Sequence, residues 1–392
     1  MLSVLNRARK SLGHIVIAAA SMVLAACMPA AGPTAGGGGA ASGKVQVALL
    51  VPGGSGQASD ELLARSLQNA ARLAITDLGG AAKVDLRVYN TAGQPAQAAA
   101  MATKAVAEGA QIILGPVFAQ EANAAGVAVA ASGVNVLAFS NNPDIAGNNV
   151  FVLGPTFGNT AGRLASYAVR QGKSKIMIVH DRNTAGEQGR AAIASGVAAA
   201  GGQVVSTGSY EFSQNGVMTA APGIASAAKS SGAQAVFLTA DTAGALPLVS
   251  QLLADNGLSS ASTQFIGLTR WDIPAATLAL PGVQGGWFAL PDPALYQQYQ
   301  SRYQASFNEP PHPISGLAYD GIAAIGALMK NAKGGPISKQ ALTQGAGFVG
   351  VNGIFRLRPD GTNQRGLAIA QIRGGQSVVV DPAPRSFGGT GF

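Results

Sequence analysis

The chain has 392 residues, of which only 11% are charged, and 26 Lys and Arg against 18 Asp and Glu give it a formal net charge of +8. The basic residues are scattered, with no Lys/Arg run interleaved with aromatics, so the charge excess does not point to nucleic acid. A single cysteine excludes an internal disulfide and a cysteine-based metal or redox centre.

Read from the start, Arg7, Arg9 and Lys10 precede an apolar segment from Ile15 to Leu24, followed by Ala25 and Ala26. These are the three regions of an export signal, and the apolar run falls short of the roughly 20 residues that a spanning helix needs. Leu24-Ala25-Ala26-Cys27 resembles the lipobox of bacterial lipoproteins. The resemblance implies that residues 1–26 are a lipoprotein signal peptide and that Cys27 carries the lipid; the competing reading is an ordinary signal with a chance cysteine. Met28, not Asp, follows Cys27, so inner-membrane retention is not indicated and the anchor is expected in the outer membrane rather than the inner. The rest of residues 27–43 is dominated by Gly, Ala and Pro without apolar periodicity, and reads as a flexible tether spanning roughly 20 to 25 Å.

From Lys44 short apolar runs alternate with amphipathic stretches. Residues 44–51 read as a strand. Leu63, Leu67, Ala70, Ala74 and Leu78 share one helical face that Gly79 and Gly80 end. A strand at 84–90, a helix opened by Pro95 and closed by Gly109, a strand at 111–115, a helix at 119–132 and strands at 134–139 and 150–153 complete one series. A second series places strands at 174–180, 203–208, 234–240 and 263–268 between helices, then a strand at 285–290, helices at 294–307 and 314–329, and a β-rich tail. Such alternation predicts an α/β fold of parallel sheets covered by helices on both faces.

In order and spacing, "VALLVPGGSG", "IILGPVFAQ", "VNVLAFSNNP", "IMIVHDRNTAGEQG", "VFLTADTAGALPLVSQL" and "AYDGI" resemble the landmarks of type I periplasmic binding proteins, the leucine-binding-protein superfamily. The resemblance implies two Rossmann-like lobes joined by three crossovers, expected near Gly154, Gly285 and Gly345, with a ligand cleft between them. Lobe 1 is then 44–153 plus 285–345, and lobe 2 is 154–284 plus 346–392.

The residues that hold an amino acid in that family are largely replaced. The hydroxyl residue expected after Gly115-Pro116-Val117-Phe118 is Ala119; residues 137–143, containing Ser140, Asn141 and Asn142, place Asn141 where a second hydroxyl belongs. Ala185 stands in the lid segment where an aromatic covers the ligand, and Thr269 takes the place of the acidic partner of the ammonium. A zwitterion leaving water without these groups would be unsatisfied by several kcal/mol. Asn141, Asn142, Arg182, Arg270 and Asp272 are left to line a polar cleft for another small molecule, or are simply solvated loop-end residues.

A second resemblance covers residues 134–179 and 351–380, which are similar to the carboxy-terminal domain of penicillin-binding protein activator lipoproteins. It implies a bifunctional penicillin-binding protein as partner, and the sequence reading favours this regulatory role in peptidoglycan synthesis. The alternative is solute capture for the permease of an ABC importer of amino acids or another small polar solute. The helical-repeat domain that accompanies the best-known activators has no counterpart in the tether.

Catalytic chemistry has little footing. His180 and His312 lack a metal-ligand spacing to other donors, and the loop from Gly54 reads G-x-G-x-x-S, without the third glycine of a dinucleotide fingerprint. No G-x-S-x-G elbow and no P-loop occur. Trp271 and Trp287 are expected as hinge and core packing. The expectation is a non-enzymatic periplasmic protein without cofactor or metal.

Overall fold

The computed structural model describes residues 44–329 and 337–388. The expected signal segment, Cys27 and the tether lie outside the described residues.

The first series folds as expected. β1 (Lys44–Val51) is buried on both faces from Val47 onward, which is why the sequence from Val47 is an unbroken apolar run and not an alternating one. α1 (Ala58–Asp77) turns Leu63, Leu67, Ala70 and Ala74 inward at helical spacing. β2 (Lys83–Asn90) leads to α2 (Pro95–Ala107), where Pro95 occupies the first turn and its missing N–H is no loss. β3 (Ile112–Leu114), α3 (Ala119–Val129), β4 (Asn135–Ala138) and β5 (Val150–Val152) follow. The five strands lie in the order β2-β1-β3-β4-β5 and every neighbouring pair is parallel.

The chain then builds a second sheet. α4 (Phe157–Arg170), β6 (Lys175–Asp181), α5 (Thr184–Ala199), β7 (Gln203–Tyr210), α6 (Gln214–Ser230), β8 (Ala235–Leu238), α7 (Leu246–Asp255), β9 (Gln264–Gly267) and β10 (Trp287–Leu290) come in turn. Trp271 is wholly buried against Gly267 and Gly286, and Trp287 packs edge-on against Tyr167 with ring centroids 4.8 Å apart.

α8 (Pro293–Phe307), α9 (Gly316–Met329) and α10 (Lys339–Leu342) return to the first lobe, where Tyr299, Tyr303, Ile322, Ile325 and Leu342 join the core of β1 and α1. β11 (Phe348–Gly350), β12 (Gly353–Leu357) and β13 (Asn363–Arg365) form a separate antiparallel sheet. β14 (Ala368–Arg373) and β15 (Gln376–Asp381) close the second sheet, whose order is β15-β14-β10-β9-β8-β6-β7. It is parallel from β7 to β10 and antiparallel at β14 and β15.

Two expected lobe boundaries move. The segment 285–290 was expected in lobe 1, but β10 pairs with β9 and β14, and Phe288 and Leu290 enter the second core. The chain therefore crosses back after Leu290 and not near Gly285. The segment after 345 was expected in lobe 2, yet Phe348, Phe355 and Leu357 pack in the first core, while Leu367 and Ile369 pack in the second. The third crossover is at Gly366. In both cases a short apolar strand reads the same from sequence whichever sheet receives it, and only the partner strand decides.

The first and third crossovers are bolted together. Asn363 Nδ2 donates to Val152 O at 2.7 Å and Gly154 O at 2.9 Å, and Arg365 Nε donates to Leu153 O at 2.8 Å. From the second lobe, Arg163 Nε donates to Leu367 O at 2.8 Å.

Candidate functional site

Ligands of doubly wound sheets bind beyond the carboxyl ends of the strands, and the expected residues occupy those loops. After β3, Gly115 adopts φ +88 and packs so tightly on Leu50 O that no side chain fits there. Phe118 is the N-cap of α3 with its ring 41% exposed, and Ala119 opens the helix, so no hydroxyl caps it. After β4, Ser140 Oγ accepts from Asn142 N at 3.1 Å and Asn142 Oδ1 accepts from Asp144 N at 2.9 Å, so both side chains hold the loop itself.

On the second lobe Asp181 ends β6 and accepts from Thr239 Oγ1 at 2.6 Å and from Asn183 Nδ2. Asn183 caps α5 through Gly186 N at 2.7 Å, which brings Ala185 into the first helical turn. Arg182 turns toward β7, donating from Nε to Ser209 Oγ at 3.1 Å and from Nη1 to Glu211 Oε1 at 2.8 Å. Thr269 Oγ1 donates to Ala240 O at 3.4 Å. Arg270 and Asp272 form a bidentate pair, with the Nε–Oδ1 bond at 2.6 Å, and so satisfy each other.

A cavity of about 910 Å³ lies between the lobes. Of the expected residues it brings together Asn141, Asn142 and Ala185; Ala119, Ser140, Arg182, Thr269, Arg270 and Asp272 do not line it. At one end Gln188 Nε2 of α5 donates across the gap to Asp144 Oδ2 at 3.3 Å. At the other end are the start of α4 and the β12–β13 hairpin, with Arg358, Thr362, Asn363, Gln364 and Arg365. Sequence reasoning missed this hinge-side wall. Its signals were modest: Thr156 and Asn159, which form a capping box at α4, and the turn dipeptide Asp360-Gly361.

The electrostatics of the wall are local. Asp360 accepts from Thr362 N at 2.8 Å and from its hydroxyl at 2.6 Å, bonds that hold the carboxyl below its usual range. Arg365 pairs with Asp320 at 3.1 Å, with side chains 2% and 0% exposed. Burial works against both charges, raising the Asp320 carboxyl and lowering the Arg365 guanidinium. Outside the cavity, Glu121 in the first turn of α3 is wholly buried and neither carboxyl oxygen has a hydrogen-bond partner of normal geometry. Burial raises its pKa, and Asp60 adds to that effect. Among the described residues no group of three or more His, Cys, Asp or Glu could hold a metal ion. No helix among them is long and apolar enough to cross a membrane.

The family model described as periplasmic binding protein matches residues 44–376. The chain belongs to the periplasmic binding protein family. No curated protein matches this family member's sequence. Among solved structures, a Rhodospirillum rubrum protein provisionally described as a branched-chain amino acid ABC transporter is 18% identical, with a TM-score of 0.72 over 86% of this chain and 99% of its own. An ABC transporter substrate-binding protein from Desulfitobacterium hafniense in complex with Leu is 17% identical, with a TM-score of 0.64 over 86% and 100%. An ABC transporter solute-binding protein from R. palustris in complex with benzoate is 20% identical, with a TM-score of 0.59 over 88% and 97%. The shared fold is the type I arrangement of two lobes with mainly parallel sheets, as the landmarks in the sequence implied.

Proposed function

We propose that this periplasmic binding protein captures a small carboxylate-bearing solute between its lobes and delivers it to the permease of an ABC importer, without catalysing a reaction. The observation that carries this reading is the cavity of about 910 Å³, walled by residues of both lobes. Pockets of this size suit a small solute, and placement between domains lets binding drive closure. Leu and benzoate, the ligands of two structural relatives, are both carboxylates. The residues here favour a plain carboxylate over a zwitterionic amino acid. Asp144, the one acidic side chain of the lining, already accepts from Gln188 Nε2 at 3.3 Å, and Thr269 and Asp272 lie outside the cavity. Export by the amino-terminal signal and lipidation of Cys27 would hold the receptor at the periplasmic side of a membrane, within the reach of its tether.

Activation of a bifunctional penicillin-binding protein, the reading that the sequence favoured, draws no support from these relatives, which are described as transporter proteins. In-cell crosslinking of the lipidated protein followed by mass spectrometry of captured membrane partners separates the two. Enrichment of an ABC permease is the expected result. Enrichment of a bifunctional penicillin-binding protein in its place would overturn the importer reading.

A further inference from the structure

We propose that the first lobe carries a membrane-docking face: the basic amino edge of its sheet rests on an anionic phospholipid surface and holds the second lobe and the cavity away from the bilayer. The inference rests on lipid attachment at Cys27, and adds which face of the body meets the membrane and why.

Basic residues that are scattered along the chain gather there in the fold. Lys44 opens β1, Lys83 opens β2, and the two are register partners. Lys104 lies in the last turn of α2, which returns to the same edge, where Gln46 Nε2 donates to Glu108 O at 2.9 Å. Lys339 opens α10 beside the start of β4, where Asn135 Nδ2 donates to Ile337 O at 2.7 Å. With Arg87 of β2, these bases outnumber Asp85 and Glu108 and leave a clear positive excess. The two acids are shared among Lys44, Arg87 and Lys104 at distances from 3.5 to 3.9 Å. Lys83 and Lys339 are exposed and have no acidic partner among the described residues. Nearby, Asp77 at the end of α1 is answered by Arg302.

Helix dipoles explain only part of this. A base in the last turn of a helix answers its carbonyl end, which accounts for Lys104. Strands have no comparable dipole, and two lysines at neighbouring strand starts repel each other until an anion meets them. The far edge of the same lobe has the opposite character: Asp60 and Glu61 in the first turn of α1 and Asp144 after β4 make no ion pair among the described residues. A negative surface therefore orients the lobe with its amino edge toward it. The tether read from the sequence singles out a membrane as that surface. It spans roughly 20 to 25 Å and enters the fold at Lys44, on the basic edge itself. Each Lys or Arg brought to an anionic surface strengthens association about fivefold, so an excess of this size gives about a hundredfold. That orients a body already held by its tether and is too little to retain a free one.

Lysine acetylation of the lipidated chain, floated with vesicles and read by mass spectrometry, tests this. Vesicles of phosphatidylglycerol and phosphatidylcholine in equal parts are compared with phosphatidylcholine alone. Lys83 and Lys339 are expected to react at least about threefold more slowly on the anionic vesicles, and salt at about 0.5 M is expected to remove the difference. Lys175, exposed at the start of β6 in the second lobe, is the control and is expected to react alike on both. Lys83→Glu is expected to lose the protection of Lys339 with melting unchanged, because the Lys83 side chain is exposed and unpaired. Equal reactivity of Lys83 and Lys339 on the two vesicles, protection of Lys175 in their place, or protection of Lys339 that persists in Lys83→Glu would overturn the docking face while leaving the anchor standing. A parent chain that floats with neither vesicle would overturn the anchor and the docking face together, with solute import decided separately by crosslinking.

Discussion

The Arg365 guanidinium lies 3.1 Å from the Asp320 carboxylate, and the pair joins β13 to α9 out of reach of solvent. Asn352 completes the acceptor side, donating from its backbone N at 3.4 Å and from Nδ2 at 3.0 Å. Because Arg365 also donates to Leu153 O, the same ion pair fixes the hairpin against the first crossover. Asp320→Asn leaves that guanidinium without its counter-charge in the interior. The expected loss is about 3–5 kcal/mol, the usual penalty for breaking a buried pair from one side. Urea unfolding measures it, and a loss below about 1 kcal/mol would mean that the pair is dispensable.

Gly154 passes between the lobes against the end of β4. A Cβ at this position would lie 2.5 Å from Ser140 O and 2.9 Å from Phe139 O. Gly154→Ala must therefore push the crossover off the Ser140 loop and stretch the bond from Asn363 Nδ2 to Gly154 O. A destabilisation of about 1–3 kcal/mol is expected, as for other overpacked sites. Thermal unfolding checks it; an unchanged midpoint would show that the crossover has slack the structure does not display.

Glu121 gives a signed dependence on pH. Its folded pKa is raised above the ordinary 4.5 by burial first and Asp60 last, against smaller lowering effects from Thr91 and the Phe118 N–H. Thr91 Oγ1 spends its own proton on Val51 O at 3.1 Å, so it meets Glu121 best as an acceptor from the protonated acid. As pH rises from about 4.5, the unfolded chain releases this proton before the folded one, and the contribution of Glu121 to stability falls until the folded pKa is passed. Glu121→Gln, neutral at every pH, is expected to melt higher than the parent at pH 8 and to flatten this dependence between pH 5 and 8. Calorimetric melting across that range decides it, and a lower midpoint for the variant at pH 8 would count against a neutral Glu121.

Cys27→Ala tests the anchor. If Cys27 carries lipid, the variant should move from the membrane fraction to the soluble periplasmic fraction and lose incorporation of labelled fatty acid. Equal labelling of parent and variant would return the segment to an ordinary export signal.

Particular residues show how far the sequence reached. Val47 to Val51 announced a buried parallel strand because burial on both faces demands an unbroken apolar run. Pro95 announced a helix start because its ring presets the first turn. That Ala119 and Ala185 stand at ligand positions rests on the resemblance alone, and of the two only Ala185 lines the cavity. Arg182, Arg270 and Asp272 were not legible. Charged residues after strands look alike in sequence, and these three turned out to be engaged with Ser209, Glu211 and one another.

What the sequence determined by itself was therefore the periodic grammar: which segments are strands, which are helices, and that they alternate into parallel sheets. That information is local, written in the burial of every second or every third to fourth side chain. Tertiary structure alone decided where β10 and β12 belong, because a short apolar strand reads the same whichever of the two cores receives it. It alone brought Arg358 and Arg365 opposite the start of α4, across some 200 residues of chain, to make one wall of a cavity. Hydrogen bonds between crossovers carry that juxtaposition, and a linear sequence holds no sign of them.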